Sequence, residues 1–115
     1  MRSIKKAITK KQYTQIPQYT TILHPVRIEL GLTNPDYIVI DSIDKLSHRR
    51  GHPWCSQSKA EIAKFTGISE RTVFRSIAKG LEKNLLEQNQ RREVRTTEKW
   101  IERVTLYKEK INRLV

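Results

Sequence analysis

The feature that most restricts the fold is the segment from Ser58 to Leu86, SKAEIAKFTGISERTVFRSIAKGLEKNLL. Gly67 divides it into two stretches, each opened by a serine suited to capping a helix. The first reads as a helix from about Gln57 to Phe65, capped by Ser56 or Ser58, with Ala60, Ile62, Ala63 and Phe65 on its apolar side. Gly67 offers a turn position that accepts positive φ. Ser69 caps a second helix, running from Glu70 to about Lys83. Val73, Phe74, Ile77, Ala78 and Leu81 form its expected buried stripe, and Arg71, Arg75 and Lys79 follow i, i+4, i+8 on another face. Asn84 stands where a left-handed residue ends a helix. No sequence argument accounts for Gly80 inside it.

The charge is uneven. Lys and Arg total 23 against 12 Asp and Glu, a net +11 in 115 residues. Residues 1–12 carry five positive and no negative groups and read as a flexible basic tail. Residues 13–55 are balanced, and residues 56–83 and 84–115 carry +3 each. A neutral supporting portion flanked by basic surfaces suits a polyanionic partner. The plainer reading of any one Lys or Arg is a solvated surface group. No apolar run of about 18 residues spans a membrane. No apolar stretch follows the basic N-terminus as in a signal peptide. The single cysteine, Cys55, excludes an internal disulfide, so a reduced intracellular protein is expected.

Other elements are expected around the central pair. Residues 13–23, rich in Tyr, Thr and Ile, have strand character, limited by Pro17 to an edge strand or one ending at Ile16. Residues 24–33 are ambiguous; Pro25 can open a short helix through Leu30 that Gly31 closes. Residues 34–49 read as a helix capped by Asn34, with Pro35 at its first position and Asp36 in its first turn. Val39, Ile43 and Leu46 carry its stripe. His48 to Pro53 is a loop. Residues 85–107 read as a β-hairpin, with Arg91, Arg92 and Arg95 at its tip and Trp100, Val104 and Leu106 alternating in the return strand. A helix from Glu98 competes, because Trp100, Val104, Tyr107, Ile111 and Leu114 also make a helical stripe. Residues 108–115 are expected as a tail or short helix.

Ile62-Ala63, Gly67-Ile68-Ser69, Arg71-Thr72-Val73, Arg75, Ile77 and Leu81 to Leu86 together resemble the winged helix-turn-helix family of DNA-binding domains. YTQIP at 13–17, the helix at 34–49 and PWCS before the motif extend the likeness toward replication initiators of plasmids and phages and related small regulators, over residues 13–107. The chain has Asn84 where the family often has Gly. The resemblance implies a mainly α fold with a small antiparallel β wing (α+β), the helix-turn-helix at 56–83 and the wing at 85–107. It implies that Ser69, Arg71, Thr72, Arg75 and Lys79 face DNA, that Ser58 and Lys59 sit by the phosphate backbone, and that Arg91, Arg92 and Arg95 form the wing. Six to eight phosphate contacts would give a slope of about −5 to −7 for log K against log salt.

Other constellations carry less. His48, His52 and Cys55 meet no standard zinc spacing. Cys55, beside Trp54, reads as a small buried apolar residue. Asp36, Asp41 and Asp44 read as a solvated face, and Trp100 as core or wing packing. No phosphate loop or nucleophile motif appears, so neither an enzyme nor a cofactor is implied. The expected function is sequence-specific binding of double-stranded DNA, in transcriptional regulation or as the DNA-binding module of a replication initiator or replisome organiser, in a cytoplasmic, nucleoid-associated protein. An effector-binding domain would need another chain or a longer parent. The alternative is a protein–protein adaptor on the same scaffold. A homodimer through residues 98–115 is a further expectation, with Trp100, Val104 and Ile111 exposed on one side.

Overall fold

The computed structural model of the chain describes residues 16–114. It is mainly helical, with one two-stranded antiparallel sheet: α1 (His24–Glu29), α2 (Asn34–Leu46), α3 (Lys59–Thr66), α4 (Glu70–Glu82), β1 (Leu86–Gln88), β2 (Val94–Thr96) and α5 (Glu98–Leu114). The basic stretch 1–12 lies outside the described residues, as do residues 13–15 of the expected first strand. Residues 17–23 form no strand. They run along α2, where the Lys45 ammonium reaches the Tyr19 carbonyl at 2.9 Å.

Local chemistry places each helix start. Asn34 is not the cap of α2. Thr33 is, accepting the Asp36 amide at 3.3 Å while Asp36 accepts the Thr33 amide at 2.9 Å. This reciprocal box satisfies two of the amides that a helix start leaves free. Ser58 and Glu61 make the same box at α3. Ser69 caps α4, accepting from the Thr72 amide at 3.2 Å. Gly67 takes φ +74°, as its place between α3 and α4 requires. Asn84 takes φ +60°, and the helix end closes with Leu85 N–H on the Gly80 carbonyl and Asn84 N–H on that of Leu81. That double closure is a Schellman motif, with Asn in the usual glycine position.

α2 is the central element. Tyr37, Val39, Ile40, Ile43 and Leu46 are buried on it, and α3, α4 and β2 pack around it. Cys55 is buried as expected, and its amide donates to the Val94 carbonyl at 2.8 Å, laying the chain before α3 against β2. Between α2 and β2, Thr96 is 1% exposed; its hydroxyl donates to Asp44 at 2.5 Å, and His48 Nε2 lies 2.9 Å from its carbonyl oxygen.

Three further expectations are corrected. The hairpin ends at Thr96 instead of 107, and the chain continues as helix α5 through Leu114, absorbing residues 108–114. A return strand would have put Glu102 inward with Trp100, Val104 and Leu106. The helical spacing of Trp100, Val104, Tyr107 and Ile111 brings no charge inward, and Trp100 packs 4.9 Å from the Tyr37 ring at a 57° tilt. With Trp100 1% exposed and Val104 packed on the core, neither offers the surface expected for a dimer. The stripe of α4 is also rotated from its expected phase. Val73, Ser76, Ile77 and Gly80 are buried, while Phe74 and Ala78 face solvent. Gly80 now has its reason, because a Cβ there would sit 2.8 Å from Leu86 Cγ and 2.6 Å from its Cδ1.

Leu86 is 3% exposed and has little room to move. Gly80→Ala gains about 1 kcal/mol of helix propensity but overpacks the core by about 1–3 kcal/mol. Urea unfolding is expected to show a net loss of stability, larger again for Gly80→Val.

Candidate nucleic-acid interface

The seating of α4 is set by one carboxylate. Asp36 is 4% exposed, so the solvated acidic face expected for it is corrected. Besides closing its own helix cap, it accepts from the Ser76 hydroxyl at 2.7 Å and from the Lys79 ammonium at 2.6 Å. Burial pushes this carboxyl up, but bonds from Lys79, the Thr33 amide and the Ser76 and Thr33 hydroxyls outweigh burial and bring it to about 2. Asp41 pairs with Lys45 at 3.1 Å; burial is the largest influence on it and raises its carboxyl. Lys79 is therefore an anchor of α4 to α2, not a free contact for a ligand. Its chemistry resembles that of its neighbours Arg71 and Arg75 in sequence. What separates it is a partner 43 residues away.

With Val73, Ser76, Ile77 and Gly80 turned inward and Lys79 at the edge, the opposite face of α4 is Arg71, Phe74, Arg75 and Ala78, all exposed. Arg71 and Arg75 are one helical turn apart and make no ion pair with any described residue. Phe74 is 60% exposed, forgoing much of the roughly 1.5–3 kcal/mol that full burial of such a side chain supplies. The Lys59 ammonium, from the start of α3, lies 3.9 Å from the centre of its ring. Ser58 and Ser69 are exposed, but their hydroxyl oxygens are used as caps, and the Ser69 hydroxyl donates to Thr72 at 2.9 Å.

The hairpin adds a second basic group. Asn89 organises its tip: its side-chain oxygen accepts from the Arg91 and Glu93 amides at 3.0 and 2.9 Å, and its carbonyl accepts the Arg92 amide at 3.0 Å. Arg92 takes φ +65°, a position that favours glycine in hairpin loops of this kind. Arg91 and Arg92 are exposed and line a cleft of about 290 Å³ together with Ser58, Lys59 and Ile77. Arg95 differs from them. It pairs across the strands with Glu87, and its guanidinium lies 4.1 Å from the Trp54 ring centre. It braces the hairpin.

Of the sequence-derived residues, the structure thus brings Ser58, Lys59, Arg91 and Arg92 to one cleft and Arg71 and Arg75 to one exposed helix face. The contact between Lys59 and Phe74 joins the two. Lys79 and Arg95 are drawn into structural pairs, and Thr72 is half-buried. Phe74, whose spacing fits an apolar stripe, is on the exposed face because the polar Ser76 is buried against Asp36. Among the described residues, no three His, Cys, Asp or Glu side chains are grouped to hold a metal, and no helix is long and apolar enough to cross a membrane. Comparison of the chain with protein families, with curated proteins and with solved structures found no match.

The Asp36 contacts have a pH signature. The carboxyl titrates near 2 when folded and near 3.9 when unfolded, a difference of about 2.5 kcal/mol. Because the folded value is the lower one, that stability is complete above about pH 5 and is lost as pH falls toward 2. Asp36→Asn is expected to lower stability at neutral pH by about 2 kcal/mol and to flatten the acid limb between those pH values, read by urea unfolding across the range.

Proposed function

We propose that this chain binds double-stranded DNA as a winged helix, with α4 entering the major groove and the β1–β2 hairpin acting as the wing. The observation that carries the reading is the pair Arg71 and Arg75, exposed and, among the described residues, without ion-pair partners on a helix whose other side is held by Asp36. A helix presented in this way fits a groove about 12 Å wide, and arginine either grips phosphates or pairs with guanine edges. A rigid seat matters because contacts to base edges lose value if the helix can roll. Lys59, Arg91 and Arg92 extend the same positive surface and would hold the backbone beside the groove. Arg92 supports this: a charged side chain is kept at a positive φ where glycine would be relaxed. Such a module serves a transcriptional regulator or a replication initiator equally well, and it needs no chemistry of its own.

Arg71→Ala with Arg75→Ala is expected to weaken duplex binding at least about 30-fold with the unfolding midpoint unchanged. If the lost contacts are to phosphate, the slope of log K against log salt becomes shallower by about 2. Gel shift over a salt series reads both; unchanged affinity overturns the assignment of α4. Equal retention by heparin and duplex at about 0.2 M salt favours a protein adaptor with an acidic partner instead.

Arg92→Gly separates fold from binding at the wing. Its unfolding midpoint should hold, because glycine accepts the same φ, while duplex affinity falls severalfold and the salt slope changes by about 1.

A further inference from the structure

The proposed interface contains one residue that its positive charge does not explain. Phe74 is 60% exposed and lies beside Arg71 on the exposed side of α4, with the small Ala78 one turn further on. The Lys59 ammonium 3.9 Å from the ring centre ties the ring to the start of α3, and the remainder of the ring faces outward. An apolar ring flanked by cations suits a partner that is polyanionic overall and apolar at one spot. The major groove of DNA has such a spot, the 5-methyl group of thymine, the one apolar feature on its base edges. Ala78 adds no bulk that would hold the helix away from the groove floor.

We infer that Phe74 is a specificity-determining residue that reads a thymine by contact with its 5-methyl group, resting on the reading of α4 as the groove-binding helix. Arg71 and Arg75, next to it on the same exposed face, supply orientation and polar recognition. Phe74 supplies discrimination at one base pair, because cytosine has a hydrogen where thymine has the methyl.

Deoxyuridine pairs like thymidine and lacks only that methyl, so it isolates the contact. A duplex is first selected from a random-sequence pool with the wild-type protein. It is then resynthesised with deoxyuridine replacing thymidine at one position at a time, and binding is measured by fluorescence anisotropy. The wild type should bind about fourfold more weakly at a single position, the factor for losing one buried methyl group. Phe74→Ala should bind the parent duplex more weakly by a similar factor and show no further loss on substitution there. Phe74→Leu should restore part of the dependence. Because the ring is exposed, both variants should unfold at the wild-type midpoint. Equal wild-type affinity for thymine and uracil at every position overturns the inference and leaves duplex binding standing. So does a loss that persists in Phe74→Ala. If the wild type enriches no duplex, the reading of α4 and this inference fail together.

Discussion

The hydrogen bonds of one buried carboxylate hold the arrangement together. Asp36 closes the cap of α2 with Thr33 and binds Ser76 and Lys79 on α4. A carboxylate this buried is stable only when its oxygens are satisfied, and a half-satisfied one is worse than an apolar residue. Rotation of α4 about its axis would remove the Ser76 and Lys79 partners together. The penalty therefore sets the rotation, and with it the residues that reach solvent. Arg71, Phe74 and Arg75 are outward because Val73, Ser76, Ile77 and Gly80 are inward.

The C-terminal half of α4 is specified by steric fit. Leu86 packs against the space left by Gly80, and the left-handed Asn84 turns the chain sharply enough to bring Leu85 and Leu86 back onto the core. That reversal starts β1, and the short hairpin then places Arg91 and Arg92 beside the start of α3. α5 seals the opposite side through Trp100 on Tyr37, where burial pushes the tyrosine hydroxyl up to about 12. Neutral core elements and basic outer ones thus come from separate stretches of the chain, matching the charge-balanced segment 13–55 and the positive segments after it.

Local signals were legible wherever they rest on a few adjacent residues. The Ser58 and Ser69 caps, the turn at Gly67 and the left-handed Asn84 all depend on backbone groups within four residues, so their types and spacing suffice. The cap at Thr33 was misplaced by one residue because Asn34 has the same capping chemistry. The return strand was misread because Trp100, Val104 and Leu106 satisfy a period of two while Trp100, Val104 and Tyr107 satisfy 3.6. The two differ physically in that the strand buries the charge of Glu102 and the helix does not. The ion pairs of Lys79 and Arg95 are not legible in sequence, because a cation whose acid partner lies on another element looks like any other cation.

Caps, turn residues and composition are enough to define the helix pair around Gly67, a basic hairpin tip and the distribution of charge along the chain. The phase of α4, the helical state of residues 98–114 and the division of cations into anchors and exposed groups come from packing. Each of those depends on contacts between residues far apart in the chain: Asp36 with Lys79, Leu86 with Gly80, Tyr37 with Trp100 and Trp54 with Arg95. Such contacts acquire their energy only when burial excludes water, and burial is a property of the assembled fold.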